Sequence, residues 1–340
     1  MALADIEGQT QAIEVLRAAL RGGSVHHAYL FLGPEGVGKE TAALGLAQAL
    51  LCRAKPGEGC GTCDVCGRVK RRNHPDVTLL LPEEESVARG LAGRSDFAGT
   101  PSRDIRVEQV RALQERLSLR PLEGSWKVAL VGSAERLNVQ AQNAFLKTLE
   151  EPPKGTVLVL LATSTDRLLP TLRSRCATVL FRPLPVALLA ARVQKERKLD
   201  PVTAQLVAVM AGGSLSRALA WDVDALQGRA DVISAFERLR SREVSELLKF
   251  ADTFGRSRED AEDALRLVAL WLRDVAAVQA GGAPLNQDLA ALAQKTAEQV
   301  SPFTLHRHHA LLEQALEAIG ARNGSPRLHL ERMLIEMRAP

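Results

Sequence analysis

A chain of 340 residues with 46% hydrophobic residues has enough apolar material for two or three packed domains, which excludes a disordered polymer. The formal net charge is +4 and aromatic residues make up 4%, so composition permits contact with nucleic acid without requiring it and supplies few rings for base stacking. No apolar run of about 18 residues occurs, and the opening MALADIEGQTQAIEVL carries acids where a signal peptide carries a basic segment, so we expect a soluble cytoplasmic protein without a membrane span.

The first predicted helix runs from Gln11 to Leu20, with Ile13, Leu16 and Leu20 on one side, and Gly22-Gly23 end it. His26 and His27 lead into the apolar run Ala28 to Leu32 and are read as loop or strand-edge residues without a catalytic part. That run predicts a buried strand. Gly33, Gly36 and Gly38 follow, then Lys39 and a helix whose apolar side is Ala43, Leu44, Leu46, Ala47 and Leu50. Strand, glycine loop, lysine and helix together make a phosphate-binding loop, because the glycines let successive N–H groups face an anion and the helix N-terminus favours negative charge. The residue after the lysine should be Ser or Thr, whose hydroxyl ligates magnesium, and here it is Glu40. Thr41 is one residue along, a rotation of about 100°, and points elsewhere. Whether the loop holds a nucleotide is left open by these residues.

Cys52, Cys60, Cys63 and Cys66 form a tight cluster among glycines and charges, while Cys176 stands alone. Two CxxC spacings sharing Cys63, closed by Cys52 at the helix end, suit a tetrahedral four-sulfur shell for structural zinc; free thiols or a redox pair are the alternatives. Lys70, Arg71 and Arg72 read as a solvated face in preference to a DNA site.

Val77 to Leu81 predicts a second strand, Glu83 to Arg103 a polar surface loop, and the stretch from Asp104 a helix facing inward with Val107, Val110, Leu113 and Leu117. Val128 to Val131 predicts a third strand, Gln140 to Glu150 a helix stopped by Pro152-Pro153, and Thr156 to Ala162 a fourth strand. This alternation argues a parallel sheet covered on both faces. From Pro183 only helical patterns remain, broken at Gly212-Gly213 and Gly281-Gly282. Ala264, Val268, Trp271, Val275 and Val278 recur at helical spacing and predict a helix buried along one stripe.

The strings HHAYLFLGPEGVGKE, NAFLKTLEEPP and TLRSRC, with the four cysteines and the C-terminal NGSPRLHLERML, resemble the bacterial sliding-clamp loader family of the AAA+ class. The resemblance is strong from Gly8 to Arg182 and looser beyond. It implies an α/β AAA+ domain over residues 1–182 with the cysteine module (52–66) inserted, a small helical lid over 183–222 and an all-α collar for ring assembly over 223–340. It also implies that the Asp-Glu pair closing the third strand of the active ATPases falls at Gly132-Ser133, where both carboxylates are missing, with Glu135 two residues on. Thr163 takes the place of the polar sensor at the end of the fourth strand. In GSLSRAL, Ser216 stands where a second sensor arginine is usual, and Arg217 is displaced by one.

Three deficits, at Glu40, Gly132-Ser133 and Ser216, fall on the site that would hydrolyse ATP in cis, whereas Arg175 of the Ser-Arg-Cys string matches the family arginine that projects into a neighbouring subunit's nucleotide. The resemblance therefore implies a ring member without ATPase activity of its own. Its expected partners are the loader's ATPase subunits and the clamp-opening subunit, and through them the beta clamp and primed DNA. The alternatives are an active ATPase motor of the same family and a stand-alone zinc-dependent nucleic-acid-binding protein.

Overall fold

Short apolar strands alternate with helices along the first half of the chain: α1 (Thr10–Arg21), β1 (Ala28–Leu32), α2 (Lys39–Leu51), α3 (Asp64–Lys70), β2 (Val77–Leu80), α4 (Glu83–Ala88), α5 (Val107–Ser118), β3 (Lys127–Val131), α6 (Val139–Glu150), β4 (Thr156–Ala162), α7 (Pro170–Arg173) and β5 (Ala177–Leu180). The computed structural model describes residues 3–221, 223–239, 244–321 and 325–338. The strands form one parallel sheet in the order β2-β3-β4-β1-β5, which puts the strand leading into the glycine loop between two neighbours. Leu32, the last residue of β1, pairs with Ala162 on one side and Leu180 on the other.

Side chains of a strand point alternately to opposite faces, so a strand that is apolar throughout must be covered twice. Tyr29 and Phe31 pack with Leu16, Leu46 and Val69 on one face. Ala28 and Leu30 pack with Val110, Leu113, Phe145 and Leu149 on the other. The expected parallel sheet with helices on both faces is thus present, and four of its five strands were foreseen. β5 was not foreseen: it has four residues, and two of them, Thr178 and Leu180, are exposed, so it lacks a continuous apolar signal. α2 is buried almost all round, Ala42 and Ala49 as well as Ala43 and Leu46, with Leu50 only partly covered, so it lies inside the domain and is not a one-sided surface helix. The stretch 83–103 is not all loop, because its three leading acids suit the first turn of a helix, α4.

The chain divides into two compact units, Met1–Leu189 with Gly212–Arg217, and Ala190–Ala211 with Ala218–Pro340. The remaining elements are all helical: α8 (Val186–Arg197), α9 (Pro201–Met210), α10 (Leu215–Ala220), α11 (Val223–Leu239), α12 (Val244–Phe254), α13 (Arg258–Gln279), α14 (Ala290–Gln299), α15 (Pro302–Ala321) and α16 (Pro326–Arg338). In the second unit α13 carries the foreseen stripe, with Ala264, Val268, Trp271 and Val275 buried and Val278 partly so. Trp271 Nε1 donates to Glu237 at 2.7 Å, and the other Glu237 oxygen accepts from Thr296 on α14 at 2.9 Å, so one carboxylate of α11 ties the middle of the stripe to a neighbouring helix. Asp274, 1% exposed, accepts from the amides of Leu285 and Asn286 and from Asn286 Nδ2 at 2.6–2.9 Å. Asn323 and Gly324 of the C-terminal family string lie outside the described residues.

Candidate nucleotide and metal sites

The glycine loop spans the gap between the C-terminal edge of β1 and the N-terminus of α2, a place where free N–H groups gather. Gly36 and Gly38 adopt φ of 73° and 101°, which side chains other than glycine rarely take. Gly36 is also closely covered. A Cβ there would meet the hydroxyls of Ser214 and Ser216 at 2.1 Å, and Leu215 N donates to Gly36 O at 2.9 Å. Ser216 therefore lies against the loop, with Arg217 the next residue along α10.

Lys39 is largely buried and its ammonium is folded back onto its own loop, donating to Gly33 O and, at 2.6 Å, to Pro34 O. Burial lowers its pKa, while the charges of Glu135 and Glu35 oppose that shift. Gly33, Gly36, Gly38 and Lys39 are thus brought together as the sequence motif requires.

Glu40, in the place of the magnesium-ligating hydroxyl, does not stand as a bare negative charge beside the loop. Its Oε1 accepts from Arg72 at 2.6–2.7 Å and its Oε2 from Arg89 Nη1 at 2.7 Å. Burial raises the Glu40 carboxyl, but the hydrogen bonds and charges of Arg89 and Arg72 outweigh it and leave the group below its ordinary value. Arg89 continues the chain of contacts, with Nη2 2.5 Å from Glu85 Oε1, and the other Glu85 oxygen accepts from Ser133 Oγ at 2.8 Å. Arg72, assigned from sequence to a solvated face, is one end of this network. Arg89 and Glu85 fall in the stretch whose composition predicts a polar surface loop. Their spacing of four within a run of acids was the only sequence trace of the pair.

At the end of β3, Gly132 packs against Leu81: a Cβ there would meet Leu81 Cδ2 at 2.4 Å, so the leucine methyl would have to move to admit the missing acid. Ser133 adopts a left-handed conformation with φ 49°. Glu135, on the turn that follows, reaches Thr163 at the end of β4 and accepts from its hydroxyl at 2.6 Å and its amide at 3.3 Å. Glu135 Oε2 is buried without a hydrogen-bond partner among the described residues. Thr163 is therefore tied to the Glu135 carboxylate, which sits within Coulombic range of Lys39.

At the other end of α2, Cys52 is the C-cap and Cys63 caps α3, accepting from the amide of Cys66. The four sulfurs of Cys52, Cys60, Cys63 and Cys66 lie within 4.8 Å of one another, with 3.8 Å from Cys52 to Cys63 and 3.9 Å from Cys60 to Cys66. A tetrahedral shell with metal–sulfur bonds of about 2.3 Å has sulfur–sulfur edges of about 3.8 Å, so the donor set fits a thiolate-bound metal ion. Amides also point at sulfur: Lys55 and Cys60 donate to Cys52, and Cys63 donates to Cys60. The amide of Cys63, with Thr62, holds the Cys60 thiol down at about 5, whereas burial pushes Cys66 up to about 12. A bound dication supplies the charge that a buried thiolate needs. Arg68 of α3 forks onto Glu123, in the loop before β3, with two contacts of 2.5 Å, and Asp76, just before β2, holds that loop by taking the amides of Leu122 and Glu123.

Arg175 follows α7, away from these groups in sequence and bonded elsewhere. Its guanidinium meets Glu150 at 2.6 Å and Thr171 O at 2.8 Å, and its side chain is 35% exposed. Neighbouring Cys176 is mostly buried, and that burial pushes its thiol up to about 12. His26 and His27 stack with ring centroids 4.4 Å apart, and the His26 ring is bonded to the backbone of Ala28 at the start of β1.

No helix among the described residues is long and apolar enough to cross a membrane. A family model described as DNA polymerase III, delta subunit, matches residues 8–185, and one described as DNA polymerase III, delta subunit, C terminal, matches residues 223–338. The DNA polymerase III subunit delta' of Bacillus subtilis is 32% identical over 279 residues, covering 81% of this chain and 79% of that protein. The corresponding protein of Pseudomonas aeruginosa is 34% identical over 249 residues, covering 72% and 70%. Among solved structures, the Thermotoga maritima RuvB Holliday junction branch migration motor aligns over 98% of this chain and 89% of its own, at 15% identity and a TM-score of 0.45, a likeness too slight to bear on activity or partners. With its glycine loop at the edge of a parallel sheet, its four-cysteine module and a helical second half, the chain belongs to the DNA polymerase III subunit delta' family of clamp loader subunits.

Proposed function

We propose that this protein is the non-hydrolysing member of the clamp loader ring and that it lends Arg175 to the nucleotide site of a neighbouring ATPase subunit. The observation that carries this reading is the contrast between two sites. At the glycine loop, the places that would hold a magnesium ion and activate water are occupied by Glu40 in ion pairs, by Gly132 against Leu81, and by Ser133 bonded to Glu85. Arg175 keeps a partly exposed guanidinium whose one carboxylate partner, Glu150, is itself half-exposed, so the pair is held by little and is readily exchanged for a phosphate.

In this proposal the protein joins the loader's ATPase subunits and the clamp-opening delta subunit in an open hetero-oligomeric ring. ATP binding to its partners then opens and closes the beta sliding clamp on primed DNA. The protein acts in the cytoplasm, residues 183–222 form a small lid and 223–340 a collar, and Cys52, Cys60, Cys63 and Cys66 hold one structural zinc ion. Because such a ring has no closed symmetry, its contacts are heterologous, and a residue can serve one neighbour alone.

A guanidinium aimed at a γ-phosphate stabilises charge spread over the phosphoryl oxygens, an effect worth roughly 10³ to 10⁵ in rate at the site it serves. The test is a reconstituted loader carrying Arg175→Ala or Arg175→Lys, with assembly checked by gel filtration. Assembly is expected to persist while ATP-coupled clamp loading fails, and lysine should rescue poorly because an ammonium lacks the planar fork. Wild-type loading by the alanine variant would show Arg175 to be an ordinary surface charge.

A further inference from the structure

In a magnesium-dependent phosphate loop the cation is held between the residue after the lysine and the acids at the end of the third strand. The residues present here do not fit that ion. Leu81 fills the space beside Gly132, and the other two places, Glu40 and Ser133, are already joined by protein groups. From Glu40 the contacts run to Arg89 at 2.7 Å, from Arg89 to Glu85 at 2.5 Å, and from Glu85 to Ser133 at 2.8 Å, with Arg72 on the second Glu40 oxygen at 2.6 Å.

This network has two guanidiniums and two carboxylates, so its charge sums to zero. A divalent ion entering it would have to displace an arginine and would find no uncompensated negative charge to repay its dehydration. Glu40 keeps only 21% of its side chain exposed and Glu85 26%, so neither carboxylate is free to swing into solvent and take an ion on its own.

We propose that the Arg89 guanidinium stands where the divalent cation would, and that this glycine loop takes the phosphates of a nucleoside di- or triphosphate without a metal ion. Lys39 exchanges its two loop carbonyls for phosphate oxygens, and the loop amides supply the remaining donors. Glu35 and Glu135 are the acids that face Lys39. The Glu135 carboxylate, tied to Thr163, balances the ammonium when no anion is bound. The proposal stands apart from the role of Arg175.

The experiment is isothermal titration of the full-length protein with ADP and with a slowly hydrolysed ATP analogue, in excess EDTA and again in excess magnesium. The dissociation constants should agree within about twofold in the two solutions. An affinity that falls by roughly tenfold or more in EDTA overturns the proposal, as does the absence of binding in both solutions. Arg89→Ala should bind more weakly in EDTA and recover with magnesium, because Glu40 and Glu85 then carry an uncompensated charge that can hold the ion. A folded variant with wild-type affinity and no response to magnesium would remove Arg89 from the site. Lys39→Ala should abolish binding, and retained binding would put the nucleotide elsewhere and overturn the assignment. Circular dichroism and metal content confirm that each variant is folded, and the wild-type titration decides the matter if Arg89→Ala does not fold.

Discussion

The glycine loop at the N-terminal end of α2 and the cysteine loop at its C-terminal end are both short, glycine-rich and anchored on the same helix, yet their polar groups are used in opposite ways. The sulfurs of the cysteine loop converge on one another at the edge lengths of a metal shell. The groups around the glycine loop diverge into contacts with the protein: Lys39 onto carbonyls, Glu40 onto two arginines, Ser133 onto Glu85. Four sulfurs gathered at bonding distance of one centre, with only backbone amides pointing at them, are suited to an ion, whereas a ligand position already paired with opposite charge by the protein is not. One helix thus carries a site whose donors fit a metal and a site whose donors are taken up by the protein.

Removing the metal is the sharpest way to break this contrast and should have the largest effect. Elemental analysis of protein purified without chelator should give one zinc per chain. Cys63→Ser, or prolonged dialysis against a strong chelator, should lower the melting temperature and loosen the segment 52–70, read by hydrogen exchange; structural zinc contributes binding energy directly to folding. Protein free of zinc with an unchanged melting curve would refute the metal half of the contrast.

The glycine loop should respond to change at the level of chemistry and hardly at all at the level of fold. The purified protein is expected to hydrolyse ATP no faster than background, measured by phosphate release with and without magnesium. Turnover that disappears in Lys39→Ala would show that the cis site is a working ATPase. Glu40→Gln should lower stability by about 1 kcal/mol or less, because its ion pairs are partly exposed. The pH dependence fixes the sign. Glu40 titrates below its ordinary value when folded, so its contribution is fully present above the ordinary glutamate range and is lost as pH falls through the folded value. The stability difference between wild type and Glu40→Gln should therefore be level at neutral pH and shrink in acid, and a difference that grows in acid would mean that Glu40 is not held by Arg72 and Arg89.

The same contrast explains what the sequence could reveal. Cys52, Cys60, Cys63 and Cys66 fall within one short segment, so their convergence is written in their spacing. The glycine loop is equally local, and Gly33 to Lys39 assemble as their order requires. The network that changes its chemistry is not local: Arg72 and Arg89 reach Glu40 across 32 and 49 residues, from stretches whose own patterns announce only polarity. Glu135 could be flagged as a displaced acid, but its bond to Thr163 depends on β3 and β4 being neighbours in the sheet. Strands buried on both faces were legible because their apolar runs are continuous. β5 escaped notice because half of its residues face solvent, and α4 because a run of acids reads as loop until a helix N-terminus gives it a use.

The central claim is that this subunit contributes to ATP hydrolysis through Arg175 and not through its own glycine loop, and one paired measurement tests it. Clamp-dependent ATPase and clamp loading would be compared in reconstituted loaders containing wild-type protein, Lys39→Ala or Arg175→Ala, each shown to assemble. The expected result is near wild-type hydrolysis with Lys39→Ala, and a fractional loss of hydrolysis with a severe loss of loading for Arg175→Ala, since one of several ATP sites faces this subunit. Loss of hydrolysis with Lys39→Ala alongside wild-type behaviour of Arg175→Ala would contradict it.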